Sequence, residues 1–343
     1  VEDTFKDIPQ KWLVTGGCGF IGTNLIDYLM KHTDVEVRIV DNLSVGSRED
    51  LRDVCDFEES RNSLDDITTR VQLWAEDVLD EKIAIHATED IECIVHLAAN
   101  TGVIPSIENP KMDCVTNVIG TVNYLEGARK NNVKKFILAS SGAPLGEQEP
   151  PIHEEKVPKP LSPYGASKLA GEAYCHAYHG SFDLQTIALR FGNVYGPRST
   201  HKGSVVAKFI KQALAGETLT IYGDGNQTRD FIYTEDLVRA ILLASKVDIG
   251  GEVFQIATFQ ETTVNDIADT IKEFFENNFN KRVLIKYDNP RKGEVLRNYS
   301  DITKAKNILG WKPQFCLKEG IENTIKWFYE HKKDVNVKLL SES

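Results

Sequence analysis

Short apolar runs recur along the first half of the chain, at 12–15, 35–40, 71–75, 93–99, 136–139 and 186–190. They are rich in Val, Ile and Leu and lack strict alternation, the pattern of strands buried on both faces. Between them, apolar positions fall at helical spacing over 21–31, 80–87, 110–131 and 163–179. Strand and helix in alternation predict an α/β fold, a doubly wound parallel sheet with right-handed crossovers. After Phe191 the alternation loosens. Short strands are expected at 219–222 and 283–287, and helices at 205–215, 235–245, 264–277 and 317–331. This predicts a smaller C-terminal α/β lobe. The expected division is a first domain over 1–190, with parts of 229–257 packing back on it, and a second lobe mainly over 191–335. The span 44–67 is an insertion whose charged centre, 48–66, is expected to be helical and solvated.

Composition narrows the possible partners. The chain has 343 residues, with 40 Lys and Arg against 51 Asp and Glu, a net charge of −11. A nucleic-acid polymer needs a basic face, so that class is excluded, whereas a small anion needs only local donors. No stretch of about 18 apolar residues exists, so no membrane span is expected. The six cysteines form no Cys-x-x-Cys pair. With a polar, acidic start they suggest reduced thiols in the cytoplasm.

Thr15-Gly16-Gly17-Cys18-Gly19-Phe20-Ile21-Gly22 follows the first strand and opens the first helix. Gly16, Gly19 and Gly22 make a variant of the dinucleotide fingerprint. The first permits a tight turn, the second lets backbone approach a pyrophosphate, and the third lets helix and strand pack closely. The amides of Phe20 and Ile21 then open the helix N-terminus, where phosphate is favoured. Asp41, with Asn42 beside it, closes the second strand 19 residues after Gly22. An acid there bonds the adenosine ribose and repels a 2′-phosphate, so NAD is expected over NADP.

Tyr164 and Lys168 stand at i and i+4, so a helix puts phenol and ammonium on one face. A cation beside the phenol is expected to lower its pKa and make it a general base. The strand ending in Ser140-Ser141-Gly142 adds a hydroxyl at its carboxyl end, where open α/β sheets bind ligands. Ser141, Tyr164 and Lys168 together suit hydride transfer at an alcohol carbon.

With these motifs the sequence resembles the extended short-chain dehydrogenase/reductase family, in its NAD-dependent nucleotide-sugar epimerase/dehydratase branch. Supporting segments are Asp77-Val78, His96-Leu97-Ala98-Ala99, Asn117-Val118, Asn193-Val194-Tyr195-Gly196-Pro197, Thr228-Arg229-Asp230-Phe231-Ile232 and Arg291-Lys292-Gly293-Glu294. The resemblance implies a Rossmann-like first domain and a nucleotide-sugar-binding lobe. It implies that Asp77 and Val78 contact the adenine, that Ala98, Ala99 and Asn117 line the cofactor, and that Lys168 holds the nicotinamide ribose. Ser141 would bond the sugar O4, and Tyr164 would exchange its proton. Ser106, Asn193, Arg229, Arg291 and Glu294 would hold the nucleotide sugar, and Asn298 would face the group at sugar C2. No metal is implied. The residues alone leave other roles open: Asn117 as a polar residue fixing backbone, Arg229 as a salt bridge between lobes, His96 as a strand-end histidine.

Within the branch, dehydratases and decarboxylases carry acids just after the catalytic hydroxyl. Here those positions are Gly142 and Ala143. The resemblance therefore implies a UDP-hexose 4-epimerase that works through a transient 4-keto sugar. A UDP-glucuronate 4-epimerase, or another nucleotide-sugar epimerase or reductase, is the alternative within the fold. A non-catalytic NAD-binding protein is the alternative outside it. Two departures bear on detail. Pro144-Leu145-Gly146 replaces the family's Val-Tyr-Gly, and Pro fixes φ and removes a donor, so a reshaped loop is expected. Asn298 is smaller than the Tyr of members restricted to plain hexoses, so N-acetylated sugars are expected to fit. The resemblance also implies a homodimer built on the helices at 110–131 and 163–179, whose Val118, Val122 and Leu125 face either a partner or the sheet.

Overall fold

The six apolar runs become strands β1 (Lys11–Thr15), β2 (Glu36–Val40), β3 (Val71–Trp74), β4 (Cys93–His96), β5 (Lys135–Ser141) and β6 (Gln185–Phe191). This is a computed structural model that describes residues 7–61, 63–290 and 296–331. The strands pair in parallel, and Glu252–Ile256 adds a seventh beside β6. The order is Glu252–Ile256, β6, β5, β4, β1, β2, β3. The chain reverses direction across the sheet between β1 and β4, which opens the crevice where doubly wound folds bind ligands.

Successive strand residues enter opposite layers, which is why the runs are continuously apolar. Trp12, Val14 and Ile137 join Leu25 and Leu29 of the helix Phe20–His32 and Leu237 and Ile241 of the helix Thr234–Lys246. Leu13, Phe136 and Leu138 join Tyr124, Leu125, Cys175 and Tyr178 on the other face. A separate apolar core lies among the helices Val205–Ala215, Val264–Phe279 and Leu317–Glu330, with Phe209, Ile271, Phe275 and Phe328 at its centre. There Leu219–Tyr222 pairs in parallel with Ile285–Asp288. Among the described residues no helix is long and apolar enough to cross a membrane.

Two segments depart from the sequence expectation. The charged centre 48–66 is not one solvated helix. Only Arg48–Arg52 is α-helical, started by a Ser47–Asp50 capping box. The chain then turns to run beside β3, where Glu58 bridges Gln72. The Glu58 carboxylate accepts from Thr68 N and Oγ1, both at 2.6 Å, and from Thr69 N at 3.1 Å. Leu51 and Leu64 are buried, so the insertion has its own apolar anchors. The helix expected over 110–131 is interrupted: Pro110–Cys114 passes through a π turn at Val115–Ile119 into Gly120–Lys130. Such an extra residue in a turn shifts the faces on either side and is often found at functional sites.

The helix Pro163–Phe182 carries the candidate catalytic pair. Ser162 caps it by accepting from Gly165 N at 3.1 Å, and Pro163 begins its first turn. One buried cluster fixes its height on the sheet. Ser140 of β5 pairs in register with Arg190 of β6, so their side chains stand side by side. Glu172 receives both: Ser140 Oγ donates to Oε1 at 2.5 Å, and Arg190 Nε and a terminal nitrogen donate to Oε1 and Oε2 at 2.9 and 2.7 Å. The Glu172 and Arg190 side chains are both 4% exposed. A buried pair is a weak source of net stability, but removing one member strands the other. Replacing Glu172 with Ala is therefore expected to cost about 3–5 kcal/mol in urea unfolding. The double variant Glu172→Met, Arg190→Met should recover most of that loss. Equal loss in the single and double variants would show that the charge left behind is not the cause.

Candidate active site

The glycine turn leaves β1 at the sheet's crevice. Gly16 has φ +70°, and a Cβ there would lie 2.8 Å from Ala98 N. At Gly22 a Cβ would lie 2.5 Å from Gly16 O, so helix and turn meet without room for a side chain. Gly46, not expected from the sequence, supports the same turn from outside: its Cβ position falls on the Cys18 carbonyl. Gly19 caps the helix Phe20–His32 with no side-chain bond, and no acid stands in the first turn. The first amides thus face a groove that suits an anion. Asp41 is buried and accepts from Cys18 N at 2.9 Å and Leu43 N at 2.8 Å. Burial raises its pKa, and the two amides oppose the rise. Asn42 donates to Asp77 at 3.0 Å, so these two residues meet at one rim, with Val78 buried beside them. A cradle of bare backbone with a carboxylate at the end of β2 fits NAD.

Thr15 joins the two sides of the crevice and was not expected to matter. Its carbonyl accepts Leu97 N at 3.1 Å, and its hydroxyl accepts Ala98 N at 3.2 Å and meets His96 Nδ1 at 2.9 Å. Ala98 and Ala99 therefore stand opposite the glycine turn. His96 is the strand-end histidine that the sequence left open. Burial, with Lys168 adding to it, drives its pKa down to about 3, so it is neutral.

Ser141 ends β5, and Tyr164 and Lys168 face it from the helix Pro163–Phe182. A side-chain hydrogen bond joins Ser141 to Tyr164. Lys168 is buried, its ammonium donating to Ala139 O at 2.9 Å and standing 5.9 Å from the Tyr164 ring centroid. The expected effect on the phenol is corrected here. Burial raises the Tyr164 pKa, the Ser141 bond lowers it, and Asp113 raises it again. Lys168 lies under the ring and bonds the β5 backbone, so the lowering comes from Ser141. Burial also brings Lys168 down to about 8, opposed by Asp113 and Glu172. Pro144 and Leu145 form a buried one-turn helix with Ala143, and Gly146 at φ +65° lets the chain pass against Lys159 O.

Asn117 is placed behind the crevice. Its amide donates to Asn100 O at 3.0 Å, Asp113 Oδ2 at 3.1 Å and Ser167 Oγ at 3.0 Å, and its oxygen accepts Asn100 N at 2.7 Å. Every polar atom of that side chain is engaged, so it fixes the loop after β4. Ser106 is fully buried and donates to Val103 O at 2.7 Å, a helix contact.

The remaining candidates gather around 228–231. Asn193 pairs in register with Phe231, and Arg229 with Thr262. Thr228 N donates to Leu296 O at 2.8 Å, which brings the half-buried Asn298 to the same place. The organiser is Asp230, buried and unsuspected. It accepts from Thr258 N, Thr258 Oγ1, Phe259 N and Ser300 N at 2.7, 2.6, 3.0 and 3.2 Å. Ile152, in the loop beyond Ser141, bridges Ser300, so the loop over the catalytic trio is tied to this wall. Nearby, a groove of about 720 Å³ is lined by Tyr222, Gly223, Asp224, Gln227, Tyr287 and Leu296. Arg291 and Glu294 lie outside the described residues.

Comparison with known proteins supports one family. The NAD dependent epimerase/dehydratase family model matches residues 12–257. UDP-glucose 4-epimerase of Mycolicibacterium smegmatis is 36% identical over 328 residues, covering 93% of this chain and 98% of that one. The crystal structure of UDP-glucose 4-epimerase from Thermotoga maritima with UDP-glucose has a TM-score of 0.81 at 37% identity, covering 94% and 99% of the two chains. UDP-N-acetylglucosamine 4-epimerase from Methanobrevibacter ruminantium, in complex with UDP-N-acetylmuramic acid, has a TM-score of 0.82 at 32% identity, covering 94% and 99%. The glycine cradle, the acid after β2 and the Ser141, Tyr164, Lys168 group thus sit on a chain that belongs to the NAD-dependent epimerase/dehydratase family.

Proposed function

We propose that this protein inverts C4 of a UDP-hexose, interconverting UDP-glucose and UDP-galactose, and that it also accepts the N-acetylated pair. The observation that carries the reading is the contact of Ser141 with Tyr164 above a buried Lys168, followed by Gly142 and Ala143. A Cβ at Gly142 would meet nothing within 4 Å, so open space stands where related dehydratases carry an acid. Elimination of water has no acid or base there.

The proposed roles follow from position. Ser141 holds the sugar O4, and the Tyr164 oxygen takes the hydroxyl proton and later returns it. NAD, when bound, accepts the C4 hydride and gives it back. Lys168, anchored on Ala139 O, holds the nicotinamide ribose. Asp41, Asn42, Asp77 and Val78 form the adenosine end of the cofactor site. Asn193 and Arg229, with Arg291 and Glu294, hold the UDP end, and the groove at Tyr222 and Tyr287 takes part in that end. Asn298 leaves room at C2. The 4-keto sugar then turns while its nucleotide stays fixed. The N-acetyl part of this reading is supported by the methanogen relative and fails if UDP-N-acetylglucosamine is inert while UDP-glucose turns over.

A homodimer is part of the proposal. Ile107, Met112, Ile119 and Tyr174 are exposed apolar side chains on helices that pack together at one side of the sheet, whereas Leu125 is buried against the sheet. The six cysteines are free thiols, which fits a cytoplasmic setting. Sedimentation equilibrium should give twice the chain mass, and Ile119→Asp should return it to one.

Two kinetic outcomes test the assignment. Tyr164→Phe should lower kcat about 10²–10⁴-fold while the purified protein keeps its NAD. The base form of Tyr164 is the phenolate, so kcat/KM should rise with pH through its pKa. Ser141 holds that pKa down. Ser141→Ala should therefore move the rise to higher pH, in addition to slowing the reaction. A rise that stays in place or moves to lower pH would contradict the Ser141 role.

A further inference from the structure

One cation of the crevice has no place in the roles above. The loop after Gly196 lies across the start of the helix Phe20–His32. Asn24 donates to Pro197 O at 3.0 Å, and Arg198 pairs with Asp27 at 3.5 Å. His201 Nε2 stands 3.9 Å from the Asp50 carboxylate, and Lys211 Nζ donates to Thr200 O and Lys202 O at 3.0 and 3.3 Å. The loop is thus pinned on both sides, and Lys202 projects from it inward. Its ammonium stands 5.9 Å from the ring centroid of Phe20, the first residue of that helix. Among the described residues it has no carboxylate partner and no hydrogen-bond acceptor. Its field also reaches Lys168, which it helps to hold down. Two ammonium groups therefore face one crevice, and Lys168 alone has a partner in the fold.

A partly buried ammonium without an acceptor is costly unless an anion meets it. The glycine turn offers only backbone dipoles to a pyrophosphate, and a charge-assisted bond adds what they lack. We infer that Lys202 is a ligand for the pyrophosphate of the dinucleotide, carried by the second lobe's loop onto the glycine cradle of the first. This rests on the NAD site described above. It makes cofactor retention depend on the 197–203 loop being held where these contacts pin it, and it explains why a redox-neutral enzyme would keep its cofactor through turnover.

Three proteins test it: wild type, Lys202→Met and Lys202→Arg, each assayed by calorimetry for NAD, ADP-ribose and UDP. In Lys202→Met the affinity for NAD and ADP-ribose should fall about tenfold or more, as for loss of a charge-assisted hydrogen bond. UDP affinity should stay within about twofold, since one phosphate contact is at stake and it lies on the cofactor. Lys202→Arg should recover most of the NAD affinity. After bound dinucleotide has been stripped from both proteins, Lys202→Met should melt at or above the wild-type temperature, because an unpaired cation has been removed. Unchanged NAD affinity overturns the inference. So does a fall for UDP alone, which would give the ammonium to the sugar nucleotide. A nucleotide-free protein that melts well below wild type would make Lys202 a structural residue and overturn it too. No arm uses hexose turnover, so failure of the epimerase reading leaves this test intact.

Discussion

Strands β1, β4 and β5 are parallel neighbours, so they release their carboxyl ends at one edge of the sheet. Each end then supplies something different to the same crevice. From β1 comes a turn of unpaired amides, from β4 a backbone wall held by Thr15, and from β5 the Ser141 hydroxyl. Height along the sheet decides whether these meet. The buried Glu172, Ser140 and Arg190 cluster sets that height for the helix that brings Tyr164 and Lys168. A slip of one residue between β5 and β6 would turn Ser140 or Arg190 to the other face. The placement of Lys168 and Tyr164 depends on a register, and Glu172, one and two helical turns beyond them, bonds the two strands that share it.

Much of this was legible in the sequence because it rests on local rules. Apolar runs gave the strands within a residue or two, except that the run at 93–99 continues three residues past the end of β4. The glycine spacing, the acid after β2 and the Tyr-x-x-x-Lys step each follow from short-range geometry. What escaped needed distant partners. Asp230 looks like one acid in a motif until four donors from 258–300 converge on it. Glu172 continues the 164, 168 spacing, a signal that was present, but its partners lie on two strands. Asn117 is one residue of a motif in the sequence, and its bonds to Asn100, Asp113 and Ser167 need partners that the sequence does not bring together. Charge density suggested a helix at 48–66, and the pairing of Glu58 beside β3 overrode it. A lowering of the Tyr164 pKa by Lys168 follows from spacing alone; in the fold the ammonium bonds Ala139 O, and burial of the phenol, which spacing does not report, raises the pKa.

The net charge of −11 is no obstacle to binding two diphosphates. In the proposed site the cofactor meets dipoles first, since the amides at Gly19–Gly22 carry no formal charge. The acids are placed to work with this: Asp41 shapes the turn from behind, and the first helical turn carries none. Cations are few and positioned. Lys168 sits on the β5 backbone, and Lys202 stands over Phe20 at the start of the first helix. The total charge reports on the outer surface and conceals the field inside the crevice.

The central claim is a redox-neutral cycle in which one hydride leaves C4 and returns to it on the opposite face. UDP-glucose deuterated at C4 tests this directly, with the purified enzyme and only the NAD it already holds. Proton and deuterium NMR should show UDP-galactose with the label retained at C4, and no dependence on added NAD or NADPH. Loss of the label to solvent, accumulation of a dehydrated or 4-keto product, or consumption of NADPH would contradict the account.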